Sequence, residues 1–201
     1  MRSVGALIFP GFELLDLYGP LEMFGMLPEQ LSIRLVAEGL EAVPSAQGPR
    51  ALPDASFADA VSYDVLLIPG GRGTRREIDN GALMDWLRST SQAAEVTSSV
   101  CTGSALLARA GLLDGRQATT NKRAWQWATS QGPKVDWQLR ARWVVDGSFY
   151  TSSGVSAGID MSLALIAAIT DETTADEVAR WAEYQRHRDP SDDPFAEAAG
   201  L

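Results

Sequence analysis

The chain contains one cysteine, one histidine and no long apolar run, and each scarcity removes a class of function. One cysteine excludes an internal disulfide, suits a reducing compartment and is too few for a cysteine–histidine zinc site. No metal-ligand cluster or cofactor motif stands out. The lone His187 lies among Arg186, Arg188 and Asp189 and reads as an exposed surface residue. No apolar stretch approaches the roughly 20 residues that a bilayer span requires. Lys and Arg total 17 against 26 Asp and Glu, a net charge of −9 with no basic run. Nucleic acid and anionic membrane are therefore poor partners. Met1-Arg2-Ser3 leads straight into a strand-like segment, so no signal peptide is expected and the default location is the cytoplasm. A chain of 201 residues, 45% of them hydrophobic, is expected to form one well-buried domain. Residues 1–188 read as that domain. Residues 189–201, acidic and carrying Pro190 and Pro194, read as a C-terminal tail ordered in part.

The remainder alternates between strand and helix patterns. Val4–Phe9, Tyr63–Ile68 and Val96–Val100 are short runs typical of strands buried on both faces. Ser32–Ala37 reads as another strand, and residues 38–59 as an irregular excursion. Helical spacing marks Leu21–Leu27, with Pro20 in the first turn. It recurs in Asn80–Ser91, Ala105–Leu113, Lys122–Ser130, Ile159–Ile169 and Thr173–Arg188. Trp137–Val145 and Ser148–Ser152 suggest a hairpin around Asp146-Gly147. This order predicts an α/β fold, a mostly parallel sheet with helices on both faces. In such folds ligands gather beyond the carboxyl ends of the strands. Asp16, Gly70-Gly71 and Cys101 each follow a predicted strand at that end.

Cys101 is the strongest chemical signal. It follows Val96–Val100 with no spacer, and Thr102-Gly103-Ser104 opens a helix immediately afterwards. A residue so placed occupies a tight turn with small neighbours, as in a nucleophile elbow. It also faces the positive end of a helix dipole, so a modest depression of its pKa is expected. A lone cysteine is most often a small buried hydrophobe. The abrupt turn and the small polar neighbours favour a nucleophile. Asp16 reads either as a helix cap or as an acid with a chemical role. Gly70-Gly71 reads as a strand-ending turn whose amides suit a small polar group. Arg72, Arg75 and Arg76 crowd that turn and read as a solvated face.

Three landmarks coincide: DLYGP at Asp16–Pro20, IPGG at Ile68–Gly71 and SVCTGS at Ser99–Ser104. AGLLDGRQATTN at Ala110–Asn121 and SGVSAGID at Ser153–Asp160 echo them. Together, from about Val4 to Glu183, they resemble the DJ-1/PfpI superfamily. Within it the chain looks most like the isocyanide hydratases and the amidotransferase-like domains of certain transcription regulators. The resemblance implies a flavodoxin-like three-layer sandwich, a reactive cysteine at the elbow and usually a homodimer. In isocyanide hydratases the cysteine attacks the isocyanide carbon, an acid from the first helix region assists, and water releases an N-formamide. Carried over, Cys101 matches the nucleophile, Asp16 the acid and Thr102 the residue beside the nucleophile. Gly70-Gly71 matches the substrate-binding turn, with the amides of Gly71 and Thr102 as its nest.

One departure is plain. Many relatives carry histidine after the ATT strand, where this chain has Asn121. That counts against a peptidase and against a glyoxalase- or deglycase-like enzyme. Glu22, six residues after Asp16, lies about 240° round a helix and points elsewhere. The leading expectation is a cofactor-free, cysteine-dependent hydratase acting on an isocyanide or a similar small electrophile. The alternatives are a glyoxalase- or deglycase-like enzyme and a non-catalytic stress-sensing or binding module. Regulators with this fold continue into a helix-turn-helix region, and the residues after Arg188 are too few and too acidic to form one.

Overall fold

The computed structural model describes residues 1–198. The first half contains β1 (Arg2–Leu7), α1 (Leu14–Gly25), β2 (Leu31–Ala37) and the short strands β3 (Val43–Pro44), β4 (Arg50–Ala51) and β5 (Ala55–Ser56). Then come β6 (Val65–Ile68), α2 (Thr74–Glu77), α3 (Gly81–Ala93), β7 (Val96–Val100) and α4 (Gly103–Arg109). The second half holds β8 (Gln117–Ala118), α5 (Trp125–Ser130), β9 (Asp136–Trp137), β10 (Trp143–Asp146) and β11 (Phe149–Ser152). Helices α6 (Ala157–Ile169), α7 (Glu172–Trp181) and α8 (Phe195–Ala198) follow.

Seven strands form one sheet in the order β10-β11-β7-β6-β1-β2-β5. Every pairing is parallel except β10 with β11. Helices α1, α6 and α7 pack in sequence as one group, and α4 joins α2, α3 and α5 in another. The expected flavodoxin-like α/β architecture is the one found.

Its chemistry explains the sheet centre. Leu66, Leu67 and Ile68 are fully buried, each contributing about 1.5–3 kcal/mol relative to exposure. The polar residues of β7 are buried too; Thr97 and Ser98 find partners, while Ser99 Oγ has none among the described residues. Ser98 Oγ donates to the Leu66 carbonyl at 2.6 Å, and the hydroxyls of Thr97 and Ser91 meet at 2.8 Å. Gly19 lets α1 lie directly on α6, since a Cβ there would come within 2.9 Å of Ile159.

Several expected boundaries are corrected. Helix α1 begins at Leu14, so Pro20 is inside the helix and Asp16 is in its first turn. Pro20 has no N–H to offer the Asp16 carbonyl one turn back, and the helix continues past this missing bond. Helix α7 stops at Trp181 rather than running to Arg188. Glu183 turns left-handed at φ 50°, Tyr184 N donates to Ala179 O and Glu183 N to Arg180 O. This paired closure is a Schellman motif. Helix α5 starts at Trp125 rather than Lys122, whose side chain is drawn into the interior. The hairpin is shorter than expected, because Trp137 pairs with Ala118 instead. Beyond Arg188 the chain returns to β10, where Arg142 N donates to Pro190 O at 2.8 Å.

Candidate active site

Parallel neighbours β1, β6 and β7 end side by side, and their following loops build the site. At the end of β7 the chain turns at Cys101 with φ 59°, a left-handed conformation that few non-glycine residues adopt. Such strain, about 1–3 kcal/mol, persists only where the surroundings over-determine it. Here four bonds do so. The Cys101 N–H donates to the carbonyls of Ser152 and Ser153 at 3.2 and 3.0 Å. Its carbonyl accepts from Ser104 Oγ and Thr120 Oγ1, each at 3.1 Å. Gly103 is required by the same turn, because a Cβ there would lie 2.2 Å from the Ile68 carbonyl.

The sulfur meets three donors. Asn121 Nδ2 donates to Sγ at 3.1 Å, and the backbone amides of Thr102 and Val155 also bond to it. The Asn121 amide is oriented by its other end, Oδ1 accepting from Ala124 N at 3.0 Å. Despite these donors the thiol pKa is raised, chiefly by burial and next by the negative charge of Asp16. The expected depression is thus overturned. Helix α4 has only seven residues, and its dipole does not offset the loss of hydration of a buried thiolate.

Asp16 is fully buried. Its Oδ2 accepts from Gly70 N at 2.9 Å, while buried Oδ1 has no hydrogen-bond partner among the described residues. Desolvation lifts its pKa to about 7; the Gly70 bond opposes the rise, Glu13 adds to it, and the adjacent Cys101 thiol opposes it. A carboxyl half-ionised near neutrality beside a protonated thiol is a base–nucleophile pair.

Thr102 clasps the elbow to the glycine turn. Its Oγ1 accepts from Gly71 N at 3.1 Å and lies 3.2 Å from Thr74 Oγ1. The Gly71 amide is therefore engaged by Thr102 rather than open, and the Thr102 amide faces the sulfur. A Cβ on Gly70 would come within 2.5 Å of Thr102 N and 2.8 Å of Asp16 Oδ2. The five residues anticipated from sequence are thus brought together. Asn121, Val155, Thr74 and Thr120 complete the arrangement. Position 121 stands out in the sequence only as a departure, Thr120 and Val155 lie in the ATTN and SGVSAGID echoes without a role of their own, and nothing in the local sequence signals Thr74.

His187 is exposed, and its backbone N–H donates to Asp160 Oδ1 at 2.8 Å. Glu22 is exposed on α1. Arg75 stacks over Trp127 at 4.4 Å, and Arg76 bonds Glu77 and the Pro10 carbonyl. A cavity of about 180 Å³ is lined by Asn121, Val155, Ser156 and Phe195 among others. It adjoins the donors that face the sulfur. A larger cavity, about 600 Å³, is lined by Ile8, Phe9, Val43, Phe57 and Leu83; neither Cys101 nor Asp16 lines either cavity, and only the smaller one includes Asn121 and Val155, two of the donors to the sulfur. Size alone does not locate the chemistry. Among the described residues no group of three or more His, Cys, Asp or Glu side chains is placed to hold a metal. No helix there is long and apolar enough to cross a membrane.

Residues 2–168 match the model of the DJ-1/PfpI family. The chain belongs to the DJ-1/PfpI family. It is 35% identical to the isonitrile hydratase of Pseudomonas putida over 90% of this chain and 78% of that protein. It is also 29% identical to the HTH-type transcriptional regulator GbdR of Pseudomonas aeruginosa, over 95% of this chain and 53% of the regulator. The chain thus matches about half the length of that relative. Among solved structures, a ThiJ/PfpI family protein from Pseudomonas syringae superposes with a TM-score of 0.85 at 32% identity, over 96% of this chain and 77% of that one. The relatives this chain resembles thus include one named as a hydratase and one named as an HTH-type transcriptional regulator.

Proposed function

We propose that this DJ-1/PfpI family member hydrates an isocyanide, or a similar small carbon electrophile, to an N-formamide without a cofactor. The observation that carries the reading is the buried pairing of the Cys101 thiol with Asp16, whose pKa of about 7 lets one carboxyl accept and return a proton near neutrality. The similarity to an isonitrile hydratase supports it.

Asp16 takes the thiol proton as sulfur attacks the terminal carbon of the isocyanide. The same carboxyl returns that proton to the carbon, leaving an S-bound thioformimidate, R–N=CH–S–Cys101. Water adds across the C=N bond, its hydroxyl to carbon and its proton to nitrogen. The tetrahedral adduct then loses the hydroxyl proton and expels the Cys101 thiolate, which is reprotonated, releasing R–NH–CHO. Asn121 Nδ2 and the amides of Thr102 and Val155 stabilise the sulfur whenever it is anionic. Gly70 N–H holds the carboxyl in place. The net reaction consumes one isocyanide and one water.

The purified chain, given an aromatic isocyanide, should accumulate the corresponding N-formamide. Cys101→Ala should abolish turnover, and Asp16→Asn should lower it about a hundredfold, within the usual range for acid–base groups. A fully active Cys101→Ala would overturn the mechanism. Leu15 and Tyr18 on α1 are exposed large hydrophobic residues, which favours a two-fold homodimer as the working unit. Light scattering that returned 21.6 kDa would remove the dimer and leave the chemistry standing. A cytoplasmic location accords with this reading, since the nucleophile is a free thiol.

A further inference from the structure

Asp193 and Lys122 are nearly sealed from water, and so are Arg142 and Asp160. Buried charges are costly unless matched. Arg142 serves Asp160 through Nε at 2.9 Å and Nη2 at 2.6 Å, and its Nη1 lies 3.9 Å from Asp193. Asp193 arrives from the far end of the chain. Its Oδ2 accepts from Ser153 Oγ and lies 3.8 Å from Lys122 Nζ, while its backbone N–H donates to Arg140 O at 2.8 Å.

Both partners of that oxygen are one step from the nucleophile. Ser153 gives its own carbonyl to the Cys101 N–H, and Lys122 directly follows Asn121, the donor to Sγ. One carboxylate therefore ties together the two segments that grip Cys101. Two residues further on, Phe195 N–H donates to Asp193 Oδ1 at 3.2 Å. The Phe195 side chain lines the cavity shared with Asn121 and Val155.

We propose that residues 189–198 form a strap that completes the active site, with Asp193 as a positioning residue for Cys101 and Phe195 as the wall that limits substrate size. The cavity of about 180 Å³ is below the roughly 300–1,000 Å³ of ordinary ligand pockets. Phe195, itself 58% exposed, and Val155 form its apolar side opposite Asn121, Ser153 and Ser156, so the space suits a compact electrophile. Assigning the cavity to substrate rests on Cys101 being the nucleophile of the reaction proposed above. The strap itself is testable without any isocyanide.

The chain has a single cysteine, so alkylation of the intact protein reports on this site alone. Rates with small iodoacetamide and bulky N-phenylmaleimide are compared across neutral pH for wild type, Phe195→Ala and Asp193→Asn. Phe195→Ala should raise the N-phenylmaleimide rate about tenfold relative to the iodoacetamide rate, the lower end of what a size-selective apolar wall contributes. Asp193→Asn, folded by circular dichroism, should slow iodoacetamide and displace its pH profile, as Asn121 and Ser153 lose their common anchor. Unchanged size discrimination in Phe195→Ala overturns the wall. An Asp193→Asn protein with a lower melting temperature and a superimposable pH profile overturns the positioning role. If Asp193→Asn does not fold, Ser153→Ala, which removes the hydroxyl bonded to Asp193 Oδ2, carries the same pH-profile test, and an unchanged profile there overturns the positioning role. A chain inert toward isocyanides that nevertheless shows these alkylation effects keeps the strap and loses only the hydratase reading.

Discussion

Asp160 and Asp16 are both fully buried, yet their oxygens meet opposite surroundings. Asp160 accepts from Arg142 twice, from Tyr184 Oη at 3.1 Å and from His187 N at 2.8 Å. Asp16 has one backbone donor and an oxygen without a partner. The first is tied to a cation and to the segment that follows α7. The second is left poorly solvated, so a proton returns to it near neutral pH. Burial alone thus says little about a carboxylate's role. The donors around it decide whether it holds structure together or moves protons.

Substitution by asparagine should separate the two most clearly. Asp160→Asn leaves the buried Arg142 with only Asp193, 3.9 Å away, as a counter-charge and should cost about 3 kcal/mol in urea unfolding. Asp16→Asn removes no ion pair and should cost no stability at neutral pH, while giving the hundredfold loss of turnover stated above. Equal destabilisation by the two substitutions would erase the distinction.

The pH dependence sharpens the comparison. Asp16 has a pKa of about 7 in the folded chain against 3.8 as the unperturbed value. Between those values the folded state keeps a proton that the unfolded state has lost. Stability from this group is therefore greatest below the lower value and declines as pH rises to the upper one. Asp16→Asn does not share the decline, so its melting temperature relative to wild type should be higher at about pH 8 than at about pH 5. Turnover has the opposite requirement. The attacking step needs Asp16 ionised, so kcat/KM should fall about tenfold per pH unit below roughly 7. A flat profile there would detach Asp16 from the thiol.

The smallest effect is expected at Asn121. Asn121→Ala removes one donor from the sulfur and should slow alkylation of Cys101 about tenfold near neutral pH, as for a hydrogen bond to a charged group. An unchanged rate would mean that the Thr102 and Val155 amides suffice.

Much of this frame is legible in the sequence where the signal is local. Strand β7 is legible to the residue, because a short run of β-branched and small residues stops abruptly at Cys-Thr-Gly-Ser. The start of α1 was not, since Pro20 looked like a first-turn residue and is embedded in the helix. The end of α7 depends on Glu183 adopting a left-handed turn, for which glycine would have been the usual marker. At the site, residue types were readable and their energetics were not. A helix start after Cys101 suggests a lowered thiol pKa. The opposing rise comes from burial of the thiol and from the charge of Asp16, a residue far away in sequence. Likewise composition marks residues 189–201 as an acidic tail, the last three of which lie outside the described residues, whereas the burial of Asp193 depends on cations supplied by Lys122 and Arg142.

The left-handed backbone at Cys101 has an evolutionary consequence. Glycine occupies φ 59° without strain, so Cys101→Gly should be more stable than Cys101→Ala by about 1 kcal/mol, the reverse of their order in most helices and strands. Selection for heat resistance alone would then favour the residue that carries no sulfur at this turn. A thiol that persists there in a lineage is held against a gradient of stability, and its retention records selection for reactivity.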